Sequence, residues 1–237
     1  MCGINGIVEL DGQPVQAEAL HSMNRAMIHR GPDDQGVWID RQAGTGMRRL
    51  SIIDIEGARQ PITSEDGTSC IVGNGEIYNF KELREQLLAS GHHFRTNGDI
   101  EVILHLYEQY GSDCVHYLRG MFAFAIWDGR TECLFAARDR FGIKPLYYME
   151  EQGRFICSSE MKSLLAVCRQ KPRIDLQSMV YYLTLQYVPE SQMMFHGMHK
   201  LPPAHYLWVK DKSIQVSKYW QPEFTAADDH TSITKEQ

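Results

Sequence analysis

The chain has 237 residues, of which 43% are hydrophobic and 23% charged, and its formal net charge is -6. This composition is typical of a globular enzyme or binding domain with a sizeable core, and the negative charge argues against nucleic acid or an anionic membrane as a partner. The six cysteines form no Cys-x-x-Cys pair and the longest strongly apolar run, MFAFAIW, is too short to span a bilayer, so we expect a soluble cytoplasmic protein without a zinc site, a disulfide framework or a membrane partner.

The first half of the chain predicts strands with two helices set between them. A strand is expected at GINGIVEL, a helix over residues 15–29, and strands at GVWID and GMRRLSIID. TSCIVGNGEIYN predicts a strand that runs into a tight turn. Helices are expected at FKELREQLLASG, ending at Gly91, and at DIEVILHLYEQYG, where Asp99 is placed to cap the first turn.

The second half predicts mainly strands. They are expected at GMFAFAIWD, ECLFAARD, PLYYME and RFICSS, followed by helices at SEMKSLLAV and DLQSMVYYLTLQY and a hairpin at HYLWVKD and SIQVSKYW. TAADDHTSITKEQ is expected to be a linker or frayed tail. Because strands often follow one another directly, this order favours antiparallel sheets with helices layered outside.

Cys2 directly follows the initiator methionine, a position that offers little to a fold unless the terminus is pinned. If Met1 is removed, the cysteine carries a free α-amine close to its own thiol. An α-amine titrates near pH ~7.7–8.0 and can serve as the base that activates a thiol. Taken alone, a cysteine placed there by chance is the commoner explanation.

Asn74 and Gly75, in GNGEIYN, allow two interpretations. Asn-Gly after an apolar strand is a strong hairpin-turn signal, and by itself this interpretation is favoured. Alternatively, the Asn74 side-chain amide and the Gly75 backbone N–H could both donate to the oxyanion of a tetrahedral intermediate.

Arg49 and Asp99 could hold the two charged groups of a free amino acid. A guanidinium binds an α-carboxylate through two hydrogen bonds, and a carboxylate binds an α-ammonium. A strand-edge surface arginine and a helix N-cap are the simpler explanations, and each is favoured when its residue is considered alone.

The ten histidines form no metal-binding signature. His92 and His93 are expected in a solvated loop, and His105 at an interface within a helix. RDRFGIKP, with charges around a glycine turn, is expected to be a structural loop held by ion pairs rather than an anion-binding site.

Eight motifs occur together in this chain: MCGI, HRGPDD, RRLSIID, NGEIYN, GDIE, GMFAFAIWD, RDRFGIKPLYY and SSEMKSLL. In this order they resemble the glutaminase domain of glutamine-hydrolysing asparagine synthetase, a class II glutamine amidotransferase. The resemblance implies an α+β fold of the N-terminal-nucleophile (Ntn) hydrolase type, a four-layer αββα sandwich with two antiparallel sheets. Residues 2–210 would form the glutaminase domain, and residues 211–237 the final strand and a linker toward an ATP-dependent synthetase domain.

The resemblance also implies a role for each matching residue. Cys2 matches the nucleophile, and Asn74 and Gly75 match the oxyanion-hole pair; these are the expected catalytic residues. The residues expected to bind L-glutamine are Arg49 at the α-carboxylate with the backbone of Ile52 and Ile53 beside it, Glu76 and Asp99 near the α-amine, and Asn74 and Gly75.

The implied reaction is hydrolysis of the glutamine side-chain amide through a Cys2 γ-glutamyl thioester, which gives glutamate and ammonia. No cofactor or metal is expected for this half, whereas ATP and magnesium are expected only for a synthetase domain in cis or in trans. The SGGxDS pyrophosphate loop of that domain does not occur in the sequence, so we expect a partial product; a homodimer is also compatible. A catalytically idle regulatory or binding module, and an Ntn hydrolase for another amide, are the alternatives.

Overall fold

A computed structural model describes residues 1–51, 54, 57–190 and 192–223. The strands are β1 (Gly3–Glu9), β2 (Asp34–Asp40), β3 (Ala43–Arg49), β4 (Ile62–Thr63), β5 (Ser69–Ile77), β6 (Gly120–Asp128), β7 (Cys133–Arg138), β8 (Tyr147–Glu151), β9 (Arg154–Ser158), β10 (Met198–Lys200), β11 (His205–Lys210) and β12 (Ser213–Lys218). The helices are α1 (Ala17–Ala26), α2 (Phe80–Ala89), α3 (Glu101–Tyr110), α4 (Cys114–Tyr117), α5 (Met161–Leu165) and α6 (Leu176–Leu185), and a 3₁₀ turn covers Gly111–Asp113. No helix within the described ranges is long and apolar enough to cross a membrane.

The described strands form two six-stranded sheets in which every pair is antiparallel. The order of the first sheet is β10-β8-β9-β1-β3-β2, and the order of the second is β12-β11-β7-β6-β5-β4. The strand β1 lies inside the first sheet, paired with β3 on one side and β9 on the other. This double pairing pins the start of the chain.

Alternation along β6 shows how the layers form. Phe122, Phe124 and Ile126 belong to the apolar cluster that includes α2 and α3, whereas Ala125 and Trp127 belong to the cluster between the two sheets. Successive side chains of a strand point to opposite faces, so β6 is covered by helices on one face and by the first sheet on the other. Both faces of the strand are therefore buried.

The first sheet repeats this arrangement. Ile4 of β1 packs in the cluster between the sheets, while Ile7 packs with Leu20 of α1 and Leu164 of α5. The layers are thus helix, sheet, sheet and helix, which is the predicted αββα sandwich. The strands predicted around GINGIVEL, GMFAFAIWD, ECLFAARD, PLYYME and RFICSS correspond to β1, β6, β7, β8 and β9, and the predicted final hairpin is β11 and β12.

Two local predictions were wrong. Asn74 and Gly75 do not form a turn but lie within β5, opposite Ala123 and Phe122 of β6, because pairing with β6 overrides the local Asn-Gly preference. Asp99 does not cap α3: residue 100 is the N-cap, and no side chain caps this end. The Asp99 carboxylate instead accepts a hydrogen bond from the backbone N–H of β5.

Some elements were not predicted at all. The short strands β4 and β10 and the short helix α4 lack enough residues to show a period. The strand predicted through GMRRLSIID ends at Arg49, and the whole of the predicted tail, TAADDHTSITKEQ, lies outside the described residues.

Candidate active site

A cavity of about 230 Å³ lies where the start of β1, the end of β3 and the edge of β5 meet. It is smaller than the ~300–1,000 Å³ typical of pockets for drug-sized ligands, and suits a ligand the size of an amino acid. Ile52 and Ile53 lie outside the described residues. The other six predicted site residues all line this cavity: Cys2, Arg49, Asn74, Gly75, Glu76 and Asp99.

Cys2 is held at the start of β1 by backbone and side-chain contacts. Arg30 Nε donates to the Cys2 carbonyl oxygen at 2.9 Å, and the Leu50 backbone N–H donates to Cys2 Sγ with a N···S distance of 3.4 Å. Burial raises the pKa of the Cys2 thiol, although the Leu50 backbone, the N-terminal charge and Arg49 act in the opposite direction. A thiol with a raised pKa is mostly protonated at neutral pH, so it needs a nearby base to act as a nucleophile.

Asn74 presents an available hydrogen-bond donor to the cavity. The residue is 2% exposed, and its Nδ2 has no hydrogen-bond partner among the residues that the structure describes. An unpaired buried donor costs about 1–3 kcal/mol, and one that lines a cavity can regain a partner from a bound molecule. The Asn74 amide is therefore placed to donate to a ligand oxygen.

The backbone N–H of Gly75 is available at the same edge of β5. The Gly73 N–H points to the outer edge of the strand, where it donates to the Gln60 side chain at 2.7 Å. Residues two apart in a strand direct their backbone groups to the same side, and β4 pairs only with Ile71 and Cys70. The Gly75 N–H thus points past the end of β4 toward the cavity. A side chain is excluded here, because a Cβ at residue 75 would lie 2.3 Å from the Met121 carbonyl oxygen.

Charges of both signs line the remaining wall. Arg49 is 5% exposed, and its Nη2 donates to the Asp54 carbonyl oxygen at 2.8 Å. Asp99 is 6% exposed, and burial raises the pKa of its carboxyl even though Oδ2 accepts a hydrogen bond from the Ile77 N–H at 2.8 Å. Burial and the neighbouring Asp99 raise the pKa of Glu76 as well, against the effect of Lys144. One cavity thus holds a guanidinium and two carboxylates, which match the charges of a free amino acid.

Sequence reasoning missed Lys144, which also lines the cavity. It is 6% exposed, and its Nζ lies 3.5 Å from Met1 Sδ. Lys144 belongs to the motif RDRFGIKP, which could have pointed to it. The motif forms a loop held by an ion pair, as predicted, because Arg138 pairs with Glu190 at 3.2 Å. The Asp139 carboxylate accepts backbone hydrogen bonds from Phe122, Phe141, Ile143 and Lys144.

Away from this cavity, Glu65, His92 and His105 form a group whose metal-ligating atoms lie within 4.8 Å of one another. His105 Nδ1 lies 2.7 Å from Glu108 Oε2, and Nε2 lies 3.8 Å from Glu101 Oε1. Burial opposes a charge on His105, but the two carboxylates outweigh it and raise its pKa to about 9. A protonated imidazole has no lone pair for a metal, so an ion-pair network accounts for this group.

The two neighbouring histidines differ in exposure. The His92 side chain is 19% exposed, and its ring lies 4.9 Å from that of His105. The prediction that His92 is a solvated loop residue was therefore wrong. The His93 side chain is 82% exposed, in agreement with the prediction.

Comparison with known proteins assigns the chain to a family. A family model described as a glutamine amidotransferase domain matches residues 1–220. The chain is 40% identical over 228 residues to glutamine-hydrolyzing asparagine synthetase 3 of Bacillus subtilis, and this match covers 94% of the chain and 37% of the relative. It is 36% identical over 260 residues to putative glutamine-hydrolyzing asparagine synthetase 2 of Methanocaldococcus jannaschii, covering 100% of the chain and 50% of that relative.

The fold has relatives among solved structures at lower identity. The structure of glutamine phosphoribosylpyrophosphate amidotransferase from B. subtilis matches with a TM-score of 0.65 at 18% identity, over 92% of this chain and 49% of that chain. This likeness confirms the Ntn-hydrolase fold class. The chain belongs to the glutamine amidotransferase domain family. Its resemblance to the glutaminase domain of asparagine synthetase is confirmed, and it spans only 37% and 50% of the length of the two curated relatives.

Proposed function

We propose that this chain hydrolyses the side-chain amide of L-glutamine to glutamate and ammonia. The observation that carries the proposal is the buried Asn74 Nδ2, which has no hydrogen-bond partner among the described residues and belongs to a residue that lines the same cavity as Cys2. An amide donor kept free beside a thiol matches the needs of acyl transfer, in which an oxyanion forms next to the attacked carbon. Arg49 and Asp99, which line the same cavity, would select a substrate with a free α-carboxylate and α-ammonium.

The proposed reaction begins after removal of Met1. The free α-amine of Cys2, directly or through one water, takes the thiol proton, and Sγ forms a bond to the γ-amide carbon. The carbonyl electron pair moves to oxygen, where Asn74 Nδ2 and the Gly75 N–H donate to the developing charge. The tetrahedral intermediate then collapses: the C–N bond breaks, the protonated α-amine gives its proton to the leaving nitrogen, and ammonia departs from a γ-glutamyl thioester.

Water completes the turnover. The α-amine takes a proton from water as its oxygen attacks the thioester carbon, and the same two donors stabilise a second oxyanion. The C–S bond breaks, the sulfur regains its proton, and glutamate leaves. Arg49, Glu76 and Asp99, with the backbone of Ile52 and Ile53, hold the glutamine backbone, which fixes the γ-amide over the sulfur.

Met1 is incompatible with this reaction. While Met1 is present, the nitrogen of Cys2 is an amide and cannot accept a proton, and the Met1 side chain also lines the cavity beside Lys144. Its removal supplies the base and opens the site together. No cofactor enters these steps.

We also propose that the ammonia is used by an ATP-dependent synthetase domain, in cis or in trans, which would hold the ATP and magnesium. Residues 2–210 would form the glutaminase unit, and residues 211–237 would lead toward that domain. Exposed apolar side chains on α6 support a partner surface: Leu176 is 74%, Val180 55% and Leu183 74% exposed.

The test is glutamate release from L-glutamine by three purified forms: the chain without Met1, the chain with Met1 retained, and Cys2→Ala. We expect release only by the first form, and no ammonia from L-asparagine, whose side chain is one methylene shorter. Equal release by the Cys2→Ala form would contradict the nucleophile. No release by the Met1-free form would favour an idle binding module instead.

A further inference from the structure

Gln60 is the residue that completes the edge of β5 next to the proposed oxyanion hole. Its side-chain Oε1 accepts a hydrogen bond from the Gly73 N–H at 2.7 Å, and its Nε2 donates to the Gly73 carbonyl oxygen at 3.2 Å. These two bonds reproduce the pair that a neighbouring antiparallel strand would make. Among the described residues no strand pairs with this part of β5, because β4 pairs only with Ile71 and Cys70.

Gln60 is itself fixed from the other sheet. A Cβ added to Gly36 of β2 would lie 2.1 Å from the Gln60 carbonyl oxygen, so the two backbones are in close contact. The Gln60 amide therefore links the first sheet to the edge of the second. This link lies one residue before Asn74.

Asn74 depends on such support. Within the described part of the chain its Nδ2 makes no hydrogen bond of its own, so the position of the amide is set by the β5 backbone that carries it. Gly75 has no side chain, and its N–H direction is set entirely by the same backbone. A small rotation of the strand at Gly73 would move both donors away from the oxyanion, and displacements near 1 Å lower rates substantially.

We propose that Gln60 is a positioning residue for the oxyanion hole, which holds the β5 edge at Gly73 so that Asn74 and Gly75 donate to the same oxygen. This inference rests on the proposed glutaminase activity. Gln60 does not need to touch the reacting atoms, although it also lines the cavity. Its effect should therefore be on the rate of the chemical step and not on glutamine binding.

The first test is Gln60→Met, which keeps the length of the side chain and removes both hydrogen bonds. We expect kcat to fall about tenfold, less than the ~10²–10³ lost when a whole oxyanion donor is removed, with KM changed less than twofold. Gln86→Leu, at an exposed position of α2, is the control and should leave kcat unchanged. A rise in KM without a change in kcat would show that Gln60 is only a wall of the cavity.

The decisive test is a double-mutant cycle with Asn74→Ala. If Gln60 acts by positioning the donor, Gln60→Met should lower kcat much less in the Asn74→Ala background than in the otherwise unchanged protein, because coupled residues are not additive. A full tenfold loss in both backgrounds would overturn the inference.

If Gln60→Met does not fold, as judged by its melting transition, Gln60→Glu replaces it. This variant keeps only the acceptor for the Gly73 N–H, and the same non-additive loss of kcat is expected.

The two proposals fail in different ways. If the unchanged Met1-free protein releases no glutamate, the proposed function is wrong. If it is active and both Gln60 variants keep its kcat, only the positioning role is wrong.

Discussion

Asp99 and Glu101 lie two residues apart and are buried to a similar degree, 6% and 1% exposed, yet the pKa values of their carboxyls shift in opposite directions. Burial dominates at Asp99 and raises its pKa. At Glu101, burial is outweighed first by the protonated His105, whose Nε2 lies 3.8 Å from Oε1, and then by hydrogen bonds; together they lower the pKa to about 2. The donors to Glu101 are Arg95 N at 2.8 Å, Thr96 N at 2.8 Å and Thr96 Oγ1 at 2.6 Å.

This contrast separates two uses of a buried polar group. Glu101 is surrounded by the donors that its own chain supplies, so it stabilises the turn before α3. Asp99 and Asn74 line the cavity, where burial disfavours the charge on the Asp99 carboxylate and the Asn74 amide nitrogen has no partner in the described part of the chain. Groups of the first kind are expected to affect stability when changed, and groups of the second kind to affect activity.

The largest predicted effect is that of Asn74→Ala. Loss of the donor should lower kcat for glutamine hydrolysis by about 10²–10³ with little change in KM, because the hydrogen bond strengthens as the oxyanion forms. Steady-state glutamate release measures this change. The melting temperature should not fall, because the amide nitrogen has no described partner to lose; a rise in KM alone would place Asn74 outside the oxyanion hole.

Asp99→Asn should raise KM for glutamine by about 10–100-fold, since a charge-assisted hydrogen bond is worth ~1.5–3 kcal/mol. The raised pKa of Asp99 means that the folded protein binds this proton more tightly than the unfolded chain. The ionised carboxylate therefore opposes folding once the pH is above its raised pKa. Denaturant unfolding at pH 7 should find the variant as stable as the parent protein or more so, and a large loss of stability would remove the contrast with Glu101.

Glu101→Gln should show the reverse behaviour. His105 loses one of its two carboxylate partners and three hydrogen bonds lose a charged acceptor, so the free energy of unfolding at pH 7 should fall by about 2 kcal/mol, while KM changes little. Because the folded pKa is depressed from 4.5 to about 2, this stabilisation is fully present above pH 4.5 and is lost as the pH falls toward 2. Denaturant unfolding of both proteins across that range should show the difference shrinking, and a difference independent of pH would contradict the assignment.

The smallest effect is expected at an exposed carboxylate. Glu18 pairs with Arg25 at 2.6 Å on α1, but the Glu18 side chain is 74% exposed. Solvent screens such pairs, so Glu18→Gln should leave both KM and the free energy of unfolding unchanged within error. If Glu18→Gln also lowered the free energy of unfolding clearly, the loss in Glu101→Gln could not be assigned to the buried hydrogen bonds of Glu101.

Local patterns predicted antiparallel sheets with helices layered outside and most of the long strands, because alternation and turns are local signals. The four-layer αββα sandwich was predicted from the resemblance to the family. It failed at Asn74 and Gly75, where the Asn-Gly pair predicts a turn but β5 continues along β6 for two further residues. Pairing with β6 decides between a turn and a continued strand, and a local sequence pattern carries no information about that pairing. The resemblance to the family corrected the functional interpretation of this pair, not the prediction of its backbone.

Asp99 is a second residue whose role a local sequence pattern did not predict. Its position before a helix predicts an N-cap, whereas its carboxylate bonds to Ile77, 22 residues earlier in the chain. Gln60 and Lys144 were not singled out, because a glutamine before a proline and a lysine in a loop have no pattern of their own. Their relation to the cavity depends on long-range packing, which brings Lys144 to the start of the chain.

The central claim is that Cys2, as the terminal residue, forms a γ-glutamyl thioester. The most direct measurement is mass analysis of the N-terminal peptide after the Met1-free protein is mixed with glutamine and quenched rapidly in acid. We predict a peptide that begins at Cys2 and carries one glutamyl group, which hydroxylamine releases. An active Met1-free protein whose N-terminal peptide carries no glutamyl group, or whose glutamyl group is on another residue, would contradict the account.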